Sequence, residues 1–236
     1  MDTSQAAQEP LIRLRGVSKV YRTEAGDFPA LQDISADFRR GEFAAVVGKS
    51  GAGKSTLVNM ISGVDRLTAG EVWVNGTPVH ALSQDEVSRW RGKNLGVVYQ
   101  SFELLSQLSI VSNVMLPMDF CGLFIPGKSY ERAMRLLESV EIAGHAHKFP
   151  TMISGGQQQR VAIARALAND PAVIVADEPT GSLDSTTAEM IYRIFEELAA
   201  RGKTIVMVTH DESAAARVSH LLRIADGRIV EDSRRD

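Results

Sequence analysis

The stretch Gly48-Lys49-Ser50-Gly51-Ala52-Gly53-Lys54-Ser55-Thr56 constrains this chain more than any other. It fits the pattern Gly-x-x-x-x-Gly-Lys-Ser, a loop that cradles phosphate groups. Phe43-Ala44-Ala45-Val46-Val47 before it is an apolar run of strand type, and Thr56 to Ile61 after it carries the apolar residues of a buried helix. The order strand, glycine loop, helix is the context the pattern requires. Glycines let the backbone turn tightly, so that successive N–H groups point inward at an anion. The helix adds its own unpaired N-terminal N–H groups and the positive end of its dipole. Lys54 brings a full charge to the β- and γ-phosphates, and the Ser55 hydroxyl suits Mg²⁺. A chance match has a probability on the order of one per cent at average composition, so the stretch is read as a phosphate site.

The chain has 236 residues, enough for one large or two small domains. A formal net charge of −3 gives no electrostatic case for nucleic acid as a partner. The single cysteine, Cys121, excludes an internal disulfide and fits a reducing compartment. No apolar run approaches the roughly 18 residues of a membrane span. The N-terminus lacks the basic and apolar regions of a signal peptide. Together these place the chain in the cytoplasm and give any membrane role to a partner chain.

Residues 1–10 are polar and read as a loose tail. Leu11 to Val20 alternates as a strand and leads to Tyr21, Thr23 to Pro29 reads as a loop, and Leu31 to Phe38 resumes the alternation. Gly70 to Gly76 reads as a strand closed by an Asn-Gly turn. Ser83 and Glu86 have capping-box spacing for a short helix. Leu95 to Tyr99 is a buried strand that delivers Gln100. From Ser101 to Lys148 the pattern turns helical. A dense apolar stretch from Leu104 to Leu116 there is subdomain core, with any exposed remainder a groove for a partner helix.

Ser154-Gly155-Gly156-Gln157 precedes the helical run Val161 to Ala168, with Ser154 as a candidate cap and the glycines as a second possible anion site. Ala172 to Ala176 is a fully apolar strand ending in Asp177-Glu178. Two carboxylates at a strand end are poor packing residues. The first suits Mg²⁺ and the second can take a proton from an attacking water. A loop from Thr180 to Asp184 and a helix from about Thr186 to Ala200 follow. Thr204 to Thr209 is another buried strand, ending at His210, a candidate γ-phosphate contact. Leu221 to Val230 reads as a final hairpin.

Taken in order, Gly48–Thr56, Gln100, Ser154–Gln157, Asp177-Glu178, Ser182-Leu183-Asp184 and His210 resemble the complete motif series of an ATP-binding cassette (ABC) transporter ATPase. Around Gln100-Ser101-Phe102-Glu103-Leu104-Leu105, Gly155 to Leu167 and Ala176 to Gly181, the chain is most similar to the ATPases of macrolide-efflux and lipoprotein-release systems, with antimicrobial-peptide exporters and the cell-division ATPase as relatives. The resemblance implies an α/β fold: a P-loop NTPase (RecA-like) core, an N-terminal antiparallel β-subdomain and an inserted α-helical subdomain. It implies one cassette over 1–236, with core and β-subdomain at about 11–99 and 160–236 and the helical part at about 100–159.

It further implies ATP and Mg²⁺ as cofactors, with catalytic roles for Glu178 (general base), His210 (γ-phosphate) and Gln100 (Mg²⁺ and attacking water). Tyr21 would stack on adenine. Gly48 to Thr56 would bind phosphates, with Ser55, Gln100 and Asp177 at the metal. Ser154, Gly155, Gly156 and Gln157 would meet the ATP held by a second copy, with Asp184 at that interface. The implied assembly is a head-to-tail homodimer on the cytoplasmic face of the cell membrane, driving a permease subunit with an extracytoplasmic domain. A mechanical or signalling switch that moves no substrate is the alternative; a soluble DNA-repair or translation ATPase fits less well, for want of a basic arm. Two residues depart from the family pattern: Ile153 stands where Leu is usual, and Lys49 where a small residue or Pro is commoner.

Overall fold

The computed structural model describes residues 10–24 and 26–235, so the tail expected at 1–10 lies outside the described residues except for Pro10, which begins a strand. The strands are β1 (Pro10–Thr23), β2 (Gly26–Arg39), β3 (Phe43–Val47), β4 (Ala69–Val74), β5 (Thr77–Pro78), β6 (Leu95–Val98), β7 (Val173–Asp177), β8 (Thr204–Thr209), β9 (His220–Ala225) and β10 (Arg228–Arg234). The helices are α1 (Lys54–Ser62), α2 (Gln84–Asn94), α3 (Ile110–Phe120), α4 (Lys128–Ser139), α5 (Gly155–Ala166) and α6 (Ser185–Ala200).

One sheet is antiparallel, in the order β2-β1-β4-β5; the other runs β10-β9-β3-β8-β7-β6, parallel from β9 to β6. Both faces of the parallel sheet are covered, which explains why its strands read as unbroken apolar runs. Successive side chains point to opposite faces. Val46, Val173, Val175, Val206 and Val208 pack toward α1 and the antiparallel sheet, while Ala45, Val47, Ile174, Ile205 and Met207 pack toward α3 to α6. Helix α1 is thereby clamped between the two sheets, with Leu57, Val58 and Ile61 fully buried.

Two expectations shift. Thr23 to Pro29 is not an open loop. β1 and β2 pair to their tips, with Tyr21 opposite Phe28, Arg22 opposite Asp27 and Thr23 opposite Gly26. The pairing extends the antiparallel ladder through residues whose composition suggests a turn. Helix α5 starts at Gly155 rather than near Val161, because Ser154 and Gln157 form a reciprocal capping box that holds both glycines in the first turn.

The turn from β2 to β3 carries a buried polar group that joins the two sheets. Glu42 accepts from the Arg39 N–H at 2.7 Å and pairs with Arg234 of β10 at 3.2 Å. Fully buried His220 of β9 stands between Glu42 at 3.4 Å and Asp232 at 2.9 Å. Burial alone would raise the Glu42 carboxyl, but His220, the Arg39 N–H and Arg234 outweigh it and hold the group below its ordinary value of 4.5. A carboxyl depressed in the folded state stabilises the fold above its unfolded-state pKa, and that contribution is lost as pH falls through the folded-state value. Urea unfolding should therefore show stability declining below about pH 4.5. Glu42→Ala should cost about 1–3 kcal/mol at pH 7, by removing the buried acceptor of the Arg39 N–H and leaving His220 and Arg234 with Asp232 as their remaining carboxylate, and should flatten that acid decline.

Candidate functional site

Four parallel strands end along one edge of the central sheet. β3 delivers Gly48, β7 delivers Glu178, β8 delivers His210, and β6 leads through Tyr99 to Gln100. Register places Val47 beside Thr209 and Asp177 beside Val208, so these ends are level. Crevices at the carboxyl ends of open α/β sheets are where such folds hold ligands. A cleft of about 850 Å³ lies here, lined by Gly48, Lys49, Ser50, Gly51, Gly53, Lys54, Ser55, Thr56, Gln100, Glu178, His210, Phe28, Ala30 and Glu212.

The loop has the features of an anion cradle. Gly53, at φ 103, is the N-cap of α1, and no side chain caps the helix or places an acid in its first turn. A Cβ at Gly53 would run into the Ala30 carbonyl, and one at Gly48 into the Ile224 carbonyl, so both positions need glycine. The uncapped N–H groups are left free to face the cleft. Ala52 is buried beneath the loop, whereas Lys49, Ser50 and Gly51 form its outer lip.

Lys54 is buried at 6% exposure, with its ammonium donating to the Gly48 carbonyl at 2.9 Å and the Lys49 carbonyl at 3.1 Å and lying 3.4 Å from Glu178 Oε1. Glu178 has a left-handed backbone (φ 46), and its own N–H donates to the Val208 carbonyl. Its Oε2 accepts from the His210 N–H at 3.2 Å and lies 2.9 Å from His210 Nδ1. A carboxylate fixed this way on a rigid strand end can take a proton from a water in the cleft. The Ser55 hydroxyl donates to Asp177 Oδ1 at 3.0 Å. Burial pushes the Asp177 carboxyl above its ordinary value, with Glu178 adding to the shift against the Ser55 hydroxyl and the Lys54 ammonium. A cation at this point would relieve that cost. Gln100 lines the cleft, and its amide donates to Ser182 Oγ at 3.4 Å. Ser55, Asp177 and Gln100 offer the hard oxygen donors suited to Mg²⁺, which takes few protein ligands and keeps the rest for water and phosphate.

The other expected residues lie elsewhere. Tyr21 is set back from the cleft lining, its hydroxyl donating to Asp65 at 3.0 Å and its ring 4.7 Å from the Lys19 ammonium. Its cross-strand partner Phe28, 55% exposed, lines the cleft and was hidden from sequence reasoning by the apparent loop. Ser154, Gly155, Gly156 and Gln157 do not line the cleft. They start α5, where Gly156 packs against Thr187 and Gly155 near Phe102. Asp184 caps α6 through Thr187, accepting from its N–H at 3.0 Å and its hydroxyl at 2.6 Å. Ser154 to Gln157 and Asp184 thus meet one another around Thr187, apart from the phosphate loop of the same chain.

A family model described as "ABC transporter" matches residues 31–181. The "Macrolide export ATP-binding/permease protein MacB 1/2" of Paracoccus denitrificans (strain Pd 1222) is 45% identical over 225 residues, which are 95% of this chain and 34% of that protein. The MacB protein of Hyphomonas neptunium (strain ATCC 15444) is 42% identical over 95% of this chain and 35% of its own length. The chain therefore spans about a third of the length of the curated relatives it matches. Among solved structures, a dimeric ATP-binding cassette in a post-hydrolysis state bound to ADP and Pi superposes with a TM-score of 0.88 at 37% identity, covering 94% of this chain and 98% of that one. With its P-loop core, its antiparallel sheet and its helical layer, the chain belongs to the ABC transporter family, as an ATPase cassette.

Proposed function

We propose that two copies of this chain close head to tail around two ATP molecules and that this closure drives a membrane permease. The observation that supports this reading is the separation just described. Lys49, Ser50 and Gly51 of the phosphate loop and Ser154 at the start of α5 are exposed, the start of α5 does not line the cleft of its own chain, and a two-fold pairing would let each complete the other's site. In this reading Lys54 and the α1 N-terminus bind the phosphates, Glu178 is the general base, and His210 orients Glu178 and reaches the γ-phosphate. Gln100 positions the attacking water, and Tyr21 with Phe28 flanks the base of the nucleotide. Ser154, Gly155, Gly156 and Gln157 cap the partner's γ-phosphate, with Asp184 beside them. Ser55, Asp177 and Gln100 would hold Mg²⁺, which when bound neutralises charge developing between the β- and γ-phosphates.

The permease would dock in a groove of about 820 Å³ between α2 and β6 on one side and α3 and α5 on the other, lined by Tyr99, Leu116, Phe120 and Cys121 among others. Phe120 is 78% exposed, and Leu123, Phe124 and Ile125 continue an apolar surface beside it. Export of a macrolide, a lipoprotein or an antimicrobial peptide through a permease with an extracytoplasmic domain, from the cytoplasmic face of the membrane, is the activity this assembly would serve. The subdomain limits near 99 and 160 belong to the same proposal.

Complementation between two inactive chains tests the shared site. Lys54→Ala removes one half of a site and Ser154→Arg the other, so each alone should be inactive. A mixed dimer retains one intact site, and an equal mixture should regain about a quarter of parental turnover, the share of intact sites at random pairing. Ser154→Arg that is active alone, or a mixture that stays inactive although mixed dimers form, would rule the shared site out.

A further inference from the structure

The loop from Tyr99 to Ser109 is built on two consecutive residues that favour other backbone conformations. Phe102 and Glu103 have φ values of 59 and 50, and neither is glycine. Left-handed conformations at non-glycine residues persist only where surrounding groups over-determine them. Here the enforcing group is Arg165 of α5. Its guanidinium donates to the Phe102 carbonyl at 2.7 Å and also to the Glu103 carbonyl. Arg165 is half-buried, and no carboxylate forms an ion pair with it among the described residues. Setting a guanidinium into the protein is costly unless its donors are used, and its hydrogen bonds go to two carbonyls of this one loop. The planar fork of an arginine holds two adjacent carbonyls in one fixed geometry, whereas a lysine offers a compact charge on a flexible stem. At the other end of α5, the Phe102 ring packs near Gly155, beside the cap formed by Ser154 and Gln157.

We propose that Arg165 is a positioning residue for ATP hydrolysis: by clamping Phe102 and Glu103 it sets Gln100 in the nucleotide cleft and makes helix α5 one rigid bar between that glutamine and Ser154. This rests on the role given to Gln100 above. Gln100 is two residues from the clamp and is the last residue of the loop to reach the cleft. When α5 shifts against a partner chain, the clamp carries the displacement to Gln100 through main-chain atoms, without any contact between Arg165 and the nucleotide.

Mg-ATP turnover and binding of the purified chain, measured for single and paired substitutions, test this. Arg165→Met should lower kcat about 10- to 100-fold with KM within about threefold of the parent, the pattern of a lost transition-state arrangement rather than lost binding. Arg165→Lys should fall between the two. In a Gln100→Ala background, Arg165→Met should cost nothing further, because both act on one group. Glu103 is exposed, and Glu103→Gly should restore part of the Arg165→Met loss, since glycine takes a positive φ unaided. An undiminished loss in the Gln100→Ala background, a matching fall in ATP affinity, or no recovery with Glu103→Gly would overturn the proposal. Should Arg165→Met fail to fold, Arg165→Lys with and without Glu103→Gly makes the same comparison. Parental turnover in Gln100→Ala alone would refute the role of Gln100 and this inference with it, whereas a clear Gln100→Ala loss to which Arg165→Met simply adds would refute only the clamp.

Discussion

Glu178→Gln should bind Mg-ATP as the parent does and turn it over about 10²- to 10⁴-fold more slowly, the usual worth of a positioned general base. The substitution preserves shape: a glutamine oxygen can still accept from the His210 N–H, and the backbone N–H at this position still donates to the Val208 carbonyl. What it removes is the capacity to take a proton from the attacking water. It also removes a negative charge 3.4 Å from the Lys54 ammonium, the group proposed to meet the β- and γ-phosphates. The nucleotide-bound state should then persist, and a sandwich of two chains should accumulate. Single-turnover kinetics give the rate, and size-exclusion chromatography with and without Mg-ATP gives the assembly. Parental turnover would remove Glu178 as the base. A variant that holds ATP yet stays monomeric at saturating Mg-ATP would remove closure by ATP.

The parts of this arrangement that were legible in the sequence are those whose signal is local. Asp177, Glu178 and His210 end or follow apolar strands, Lys54 follows one through the glycine loop, and a parallel sheet brings strand ends to one edge, so their gathering at that edge follows from pattern and topology alone. The caps at Ser83 and Ser154 were likewise readable, since a capping box spans only four residues. Other features depend on contacts that no short window contains. Phe28 lies among turn-forming residues, and only its pairing with Tyr21 across the β1–β2 hairpin sets it at the cleft. The start of α5 was obscured because two glycines signal a loop, whereas here the cap holds them helical. Arg165 reads as one more charge on a helix. Its acceptors are main-chain carbonyls 62 and 63 residues away, and backbone acceptors leave no trace in residue identity. The left-handed backbone of Phe102, Glu103 and Glu178 is invisible for the same reason.

Lys54→Ala should abolish tight nucleotide binding, with a loss of at least about 100-fold in ATP affinity, because the ammonium makes charge-assisted hydrogen bonds that are roughly twice as strong as neutral ones. In the structure its donors rest on the Gly48 and Lys49 carbonyls, with Glu178 nearby, so the ammonium is held at the base of the loop inside an otherwise buried setting. That setting decides the size of the effect. A lysine on the exposed lip, such as Lys49, would be screened by water and contribute little, whereas a charge at 6% exposure acts on phosphate through a medium of much lower effective dielectric. The carbonyls of Gly48 and Lys49, losing their donor, would also present bare oxygens near an incoming anion. Titration with a fluorescent ATP analogue should separate the two lysines: a large loss for Lys54→Ala and a change of no more than about threefold for Lys49→Ala. Equal, small effects at both positions would mean that the backbone N–H groups of the loop and the α1 N-terminus carry the phosphates without Lys54. A large loss at both would place the Lys49 side chain on the nucleotide as well.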